Sequence, residues 1–193
     1  VHNSSDSTQQ YVPEVRVPDS WLLVSSGSSF DVAANAVTRR VISFRVPAGS
    51  PSGVFPVEYS VREIGNPDNR DRDVINVTVG HVQSIDLQLL EVDDFVLAGE
   101  SYTASFVLIN AGNRSFSGSI RIRSVPDFPV ALSSETIDVA AGSSARITAT
   151  VETEALGIRR FQHWIKLDIL NDRGEELATA NASIDVLPAG HAR

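Results

Sequence analysis

The chemistry open to this chain near neutral pH is set by its side-chain inventory. Its 193 residues include four histidines and no cysteine, which excludes a thiolate nucleophile, a cysteine-ligated metal and a disulfide framework. His2 and His191 lie near the chain ends, where ordered sites are rare, and His81 falls between the two halves of the sequence. Only His163 sits within a patterned segment. It shares strand parity with Phe161, Ile165 and Leu167, so it is expected to point inward as a structural group. The serines are numerous, but none has the context of a nucleophile elbow. No acid, base and nucleophile converge, and no enzymatic activity is expected.

Two other residue sets could bind without catalysing. Trp164 alternates outward with Gln162 and Lys166, and a flat exposed ring is suited to the apolar face of a sugar. Trp164 is therefore the candidate carbohydrate-binding residue. Trp21, after the Pro18-Asp19-Ser20 turn, is expected to cap a core edge and is matched to Pro129 in the second half. Glu91, Asp93, Asp94 and Glu100 flank one loop, and Asp172, Glu175 and Glu176 flank another. Strand directions are expected to bring both loops to the end of the second domain away from the linker. A solvated acidic rim is the preferred reading there. The alternative is calcium, held by Asp93, Asp94, Asp172 and Glu175. Asp68, Asp71 and Asp73 alternate with Arg70 and Arg72, which supply compensating charge. Asn3, Asn76, Asn113 and Asn181 each open an Asn-x-Ser/Thr sequon.

An internal repeat organises the elements that carry these residues. Val17-Pro18-Asp19-Ser20-Trp21, Ser25-Ser26 and Asp31-Val32-Ala33-Ala34-Asn35 return about 107 residues later as Val125-Pro126-Asp127-Phe128, Ser133-Ser134 and Asp138-Val139-Ala140-Ala141-Gly142. The match sets Val1-His2-Asn3 against Leu108-Ile109-Asn110. It leaves the first copy without a counterpart of roughly residues 85–107, so the chain is expected to begin inside a domain. Period-two alternation marks strands near residues 85–89, 102–109, 120–123, 136–139, 147–151, 161–169 and 178–186. Seven strands per complete copy, frequent turn signals and no sustained helical period predict an all-β chain. The expectation is two tandem Ig-like β-sandwiches, a partial one at 1–80 lacking its first two strands and a complete seven-stranded one at 81–193. Within the first copy, Ile42, Phe44 and Val46 are matched to Ile147, Ala149 and Val151, and Phe55 to Phe161. Phe106, Ile120, Ile147, Val151, Ile165, Leu167 and Ile184 are the expected core of the second.

Charge narrows the partners. The net charge is −8, with nine acidic against seven basic residues before His81 and fifteen against nine from there on. Both copies are acidic, which disfavours a phosphate-backbone partner, so nucleic acid is not expected. No apolar run is long enough for a membrane helix, and membrane insertion is not expected. An open edge in the first domain is expected to invite self-association.

The segments Asp86-Leu87-Gln88-Leu89, Ala98-Gly99-Glu100-Ser101-Tyr102 and Val107-Leu108-Ile109-Asn110-Ala111-Gly112-Asn113 resemble the opening of bacterial CARDB-type, cell-adhesion-related Ig-like domains. Val17-Pro18-Asp19-Ser20-Trp21, Val46-Pro47-Ala48-Gly49 and Gly53-Val54-Phe55 resemble the related fibronectin-III-like modules attached to secreted glycosidases. These resemblances imply an extracytoplasmic protein, secreted, periplasmic or at the cell surface. In it the pair would act as a spacer or adhesion segment whose partners are another protein or the neighbouring domains of its parent chain. The alternative they imply is a carbohydrate-binding accessory module of a secreted glycoside hydrolase. They supply no catalytic residues.

Overall fold

The computed structural model describes residues 1–25, 27–155 and 159–189 and divides the chain into two compact units, Val1–His81 and Val82–Arg193. His191 lies outside the described residues. Among the described residues there is no helix. Both units are Ig-like β-sandwich domains, as the alternating patterns predict.

In the first domain the strands are β1 (Gln9–Arg16), β2 (Leu22–Ser25), β3 (Phe30–Val32), β4 (Ser43–Arg45), β5 (Gly53–Glu63) and β6 (Arg70–Val79). They form one antiparallel sheet in the order β3-β1-β5-β6 and a separate pair, β2-β4. The second domain has β7 (Ile85–Glu91), β8 (Phe95–Leu97), β9 (Ser101–Asn110), β10 (Phe116–Val125), β11 (Val130–Leu132), β12 (Thr136–Val139), β13 (Ser144–Glu152), β14 (Phe161–Leu170) and β15 (Glu176–Leu187). Its two sheets run β12-β10-β14-β15-β8 and β11-β13-β9-β7. The strands beyond the expected seven are β8 and β11, three residues each. Three residues are too few to display an alternating pattern.

The second domain's core lies between its sheets. Phe106, Ile120, Ile147, Val151, Ile165, Leu167 and Ile184 are all buried, as expected from their parity. Alternation explains this directly, because odd positions of β14 face in and even positions face out.

The strand ladders fix the repeat more finely than the sequence match does. Tyr11 opposes Phe30 as Gly118 opposes Ile137, and Leu23 opposes Phe44 as Val130 opposes Val151. All of these are displaced by 107 positions. β5 is displaced by 108, since Val15 opposes Tyr59 where Ile122 opposes Leu167. Ile42 therefore corresponds to Ala149 rather than Ile147, and Phe55 to His163 rather than Phe161. Both corrections are slips of two rungs. A two-residue slip keeps every side chain on its face, so a hydrophobic pattern cannot detect it.

Trp21 shifts by a single position. It corresponds to Phe128, which is buried as Trp21 is, and not to the exposed Pro129. Trp21 stacks on Phe44 and tilts against Phe55, while Phe128 packs on His163, the residue aligned with Phe55. It is a core residue rather than an edge cap.

With this register, the first domain's large sheet matches β12-β10-β14-β15, and β2-β4 matches β11-β13. The long opening strands β7 and β9, and the short β8 between them, have no counterpart except the last rungs of β9. There His2 bridges Val37 as Ile109 pairs with Ser144.

Candidate functional site

A polar cluster in the second domain's interior surrounds His163, which is fully buried on β14. Its Nδ1 lies 2.6 Å from the Tyr102 hydroxyl on β9. Its Nε2 lies 2.9 Å from Ser124 Oγ and 3.0 Å from the Pro126 carbonyl oxygen. A carbonyl oxygen only accepts, so Nε2 carries the proton, and Nδ1 accepts from the Tyr102 hydroxyl. Ser124 Oγ in turn donates to Pro126 O at 3.0 Å and accepts from the Phe128 amide at 3.1 Å. A serine is thus beside a histidine, but the nitrogen facing it is already protonated and cannot take the hydroxyl proton. Burial lowers the His163 pKa, partly opposed by its bond to the Pro126 backbone, and raises that of Tyr102. Both groups stay neutral, and the cluster ties β9, β10 and β14 together.

The outer face of the same sheet carries a charge network centred on Asp168. Asp168 on β14 is 0% exposed although it points outward, because neighbouring cations fold over it. Its Oδ2 accepts from Arg121 Nη2 at 2.8 Å, Arg121 Nε at 3.1 Å and Arg123 Nη2 at 2.9 Å. Its Oδ1 accepts from Thr179 Oγ1 at 2.8 Å and lies 3.1 Å from Lys166 Nζ. Burial pushes its pKa up, but hydrogen bonds from Arg121, Thr179, Lys166 and Arg123 outweigh burial and hold the carboxyl well below the usual range. Glu176 closes the network, 3.5 Å from Arg121 and 3.8 Å from Lys166. Asp168 is not among the residues that the sequence singles out. Its only signal was the alternation of Arg121 with Arg123 and of Lys166 with Asp168, which becomes a network only once β10 and β14 are in register.

Trp164 lies on this face, 48% exposed, opposite Val125 on β10 and Ser183 on β15. Gln162 and Asn181 are exposed on the same face. The arrangement is an exposed aromatic ring beside the exposed Val125 and polar neighbours.

The acidic residues do not converge as expected. Asp94 lies beside the far end of β15, where its carbonyl accepts from the Asp185 amide and β8 pairs in parallel with residues 185–187. Asp172 and Glu175 lie in the hairpin that precedes β15. About 30 Å of strand separates these positions at roughly 3.3 Å per residue. The hairpin is the misplaced element: β14 runs antiparallel to β10, so Leu170 lies opposite Ser119, near the turn where Asn113 bonds Val82, whereas β7 carries the first loop to the opposite end, as expected. Asp93, Asp94, Asp172 and Glu175 are all exposed, and Glu175 accepts from Asn171 Nδ2 at 2.7 Å. No group of three or more His, Cys, Asp or Glu suited to a metal ion occurs among the described residues. In the first domain Arg70 and Arg72 pair with Glu14 and Glu58 rather than with Asp71 and Asp73.

Two of the four sequon asparagines are core residues. Asn3 is 1% exposed and Asn113 is 8%, whereas Asn76 and Asn181 are exposed.

No family model matches the chain, and no curated protein matches it. Among solved structures it is similar to domains 4 and 5 of the S-layer protein SbsC, at 16% identity over 97% of this chain and 73% of that one, with a TM-score of 0.39. It is also similar to the D00-D0 domain of intimin, at 13% identity over 97% and 95%, with a TM-score of 0.29. The Pseudomonas aeruginosa CupB2 chaperone is similar at 12% identity over 98% and 90%, with a TM-score of 0.25.

Proposed function

We propose that this chain is a pair of non-enzymatic Ig-like modules serving as a spacer or protein-interaction segment of a larger extracytoplasmic protein of the CARDB-type adhesion class. The observation that carries this reading is where the buried polar groups spend their hydrogen bonds. Asn3 and Asn110 clamp backbone carbonyls, Thr153 bonds Leu97 O, Glu100 O and the Gly99 amide, His163 is closed on Tyr102 and Pro126, and Asp168 is closed on its own cations. These groups hold strands together. Single-molecule stretching from the two ends tests the reading. The expected trace has a separate unfolding step for each domain, with the complete second domain at the higher force. Unfolding of both domains without a resolvable force would remove the spacer role.

A second reading rests on Trp164. Its exposed ring, flanked by Gln162 and Asn181, could stack on a sugar as part of a carbohydrate-binding accessory module. Glycan-array binding at millimolar sugar that is lost on Trp164→Ala would favour this reading, and the spacer reading expects no such signal.

A further inference from the structure

The two copies agree on the inner face of the large sheet and differ on its outer face. By the strand register, Val57, Tyr59 and Val61 of β5 stand where β14 has Ile165, Leu167 and Ile169, whereas the outward Pro56, Glu58 and Ser60 stand where it has Trp164, Lys166 and Asp168. The fold therefore requires neither the ring nor the buried carboxylate at these positions. In the second domain Trp164 has Val125 on one side and Ser183 on the other, and the next outward row holds Arg123, Lys166 and Asn181. Beyond that row Asp168, itself 0% exposed, binds Arg121, Arg123 and Lys166. What reaches solvent there is the cations, with side chains 46%, 56% and 34% exposed. Three cations meet two carboxylates, Asp168 and Glu176, which leaves a positive surplus in a domain that is acidic as a whole. On the other side of Trp164, Asp185 stands opposite Gln162 and is paired with Arg160.

We propose that this face binds an acidic sugar, a hexuronic acid whose ring stacks on Trp164 and whose carboxylate is held by Lys166 and Arg123. The inference rests on the sugar-stacking reading of Trp164 and adds to it the charge of the sugar. Trp164 and the exposed Val125 beside it offer apolar surface to the face of a pyranose. In a hexuronic acid the carboxylate stands at the rim of the ring, so a sugar lying flat on the indole carries it toward one edge of that surface. Two residues along a strand span about 7 Å, a distance that the long side chains of Lys166 and Arg123 cover. Asp168 engages Arg123 through Nη2 and Lys166 through Nζ, and a guanidinium and an ammonium each have more donors than one such contact uses. With no exposed surface of its own, Asp168 keeps both cations at that edge without presenting its oxygens to a ligand. A charge-assisted hydrogen bond from either cation to the sugar carboxylate is short and strong. The sugar has one orientation, because turning it round would set its carboxylate beside Asp185. The first copy lacks both halves of the site, since Pro56 replaces the ring and Glu58 the ammonium, so binding belongs to the second domain.

The probe is trigalacturonate, titrated into the full chain by calorimetry, with its fully methyl-esterified form as the neutral counterpart of the same ring geometry. The acid is expected to bind about tenfold more tightly than the ester, the share of one charge-assisted hydrogen bond, and to lose that advantage as salt is raised. Trp164→Ala should abolish binding of both. Lys166→Gln and Arg123→Gln should bring the acid down toward the affinity of the ester and leave the ester unchanged, and the retained ester binding shows that the variants are folded. Equal affinity for acid and ester in the unaltered chain would overturn the carboxylate site and leave Trp164 as a site for neutral sugars. Preference for the acid that survives both cation variants would overturn it as well. So would binding of the acid that survives Trp164→Ala, which would reduce the face to a charged surface that collects polyanions. Absence of binding by both trisaccharides would remove the inference together with the reading of Trp164 on which it rests.

Discussion

Asn3 and Asn110, one repeat apart, make the same contacts. Asn3 Nδ2 donates to the carbonyls of Ser7, Val32 and Ala33 at 2.8, 3.0 and 3.1 Å, and Asn110 Nδ2 donates to those of Arg114, Val139 and Ala140 at 2.8, 3.1 and 3.2 Å. Each side-chain oxygen accepts an amide two residues on, from Ser5 and from Gly112, at 3.0 Å. The clamp ties the turn leading into β1 or β10 to the end of β3 or β12. Both asparagines are 1% exposed.

Removing one clamp leaves buried carbonyls without a donor. Asn110→Ala should destabilise the second domain by roughly 2–4 kcal/mol, and Asn3→Ala the first by a similar amount. Urea denaturation followed separately for each domain checks this. A loss below about half a kcal/mol at Asn110 would mean that water replaces the amide.

Acid should weaken the second domain through His163. Its folded pKa lies below the ordinary value, so the unfolded chain takes up the proton first as pH falls. Stability should be intact above about pH 6.5 and decline below it. His163→Phe, the residue aligned with it in the first copy, should remove that part of the slope. An unchanged decline between pH 6.5 and 5 in the variant would assign it to other groups.

Asp168 acts in a lower window. Its folded pKa is depressed, so its contribution is present above about pH 4 and is lost as pH falls further. Asp168→Asn should cost roughly 1–3 kcal/mol at neutral pH, because Arg121, Arg123 and Lys166 are left facing one another without a carboxylate. It should also flatten the acid limb below pH 4. Urea melts at pH 7 and pH 3 separate the two effects.

Calcium at low millimolar concentration should leave the melting temperature within about one degree, since Asp93 and Asp94 are remote from Asp172 and Glu175. A rise of several degrees that disappears in the Asp93→Asn, Asp94→Asn double variant would show a site formed by the first loop alone.

The sequence alone determined which face of each long strand is buried. Ile165, Leu167 and the inward His163 followed from parity, as did the outward Trp164, because a strand allows only two directions. The recurrence of the Val-Pro-Asp turn, of Ser-Ser and of Asp-Val-Ala-Ala determined the repeat. Only the tertiary structure decided which rung opposes which. Slips of two residues keep every face, so Ile42 and Phe55 were matched two positions away from their true partners, and Trp21, in a turn without alternation, was matched one position away, to Pro129 instead of Phe128. Strands of three residues carry no alternation, so β8 and β11 were not legible, and the hairpin of Asp172 and Glu175 lies at the opposite end from the first acidic loop because β14 runs antiparallel to β10. Asp168 was hidden for the same physical reason. Its ligands come from three strands, and a charge network across strands exists only in the register that brings them together.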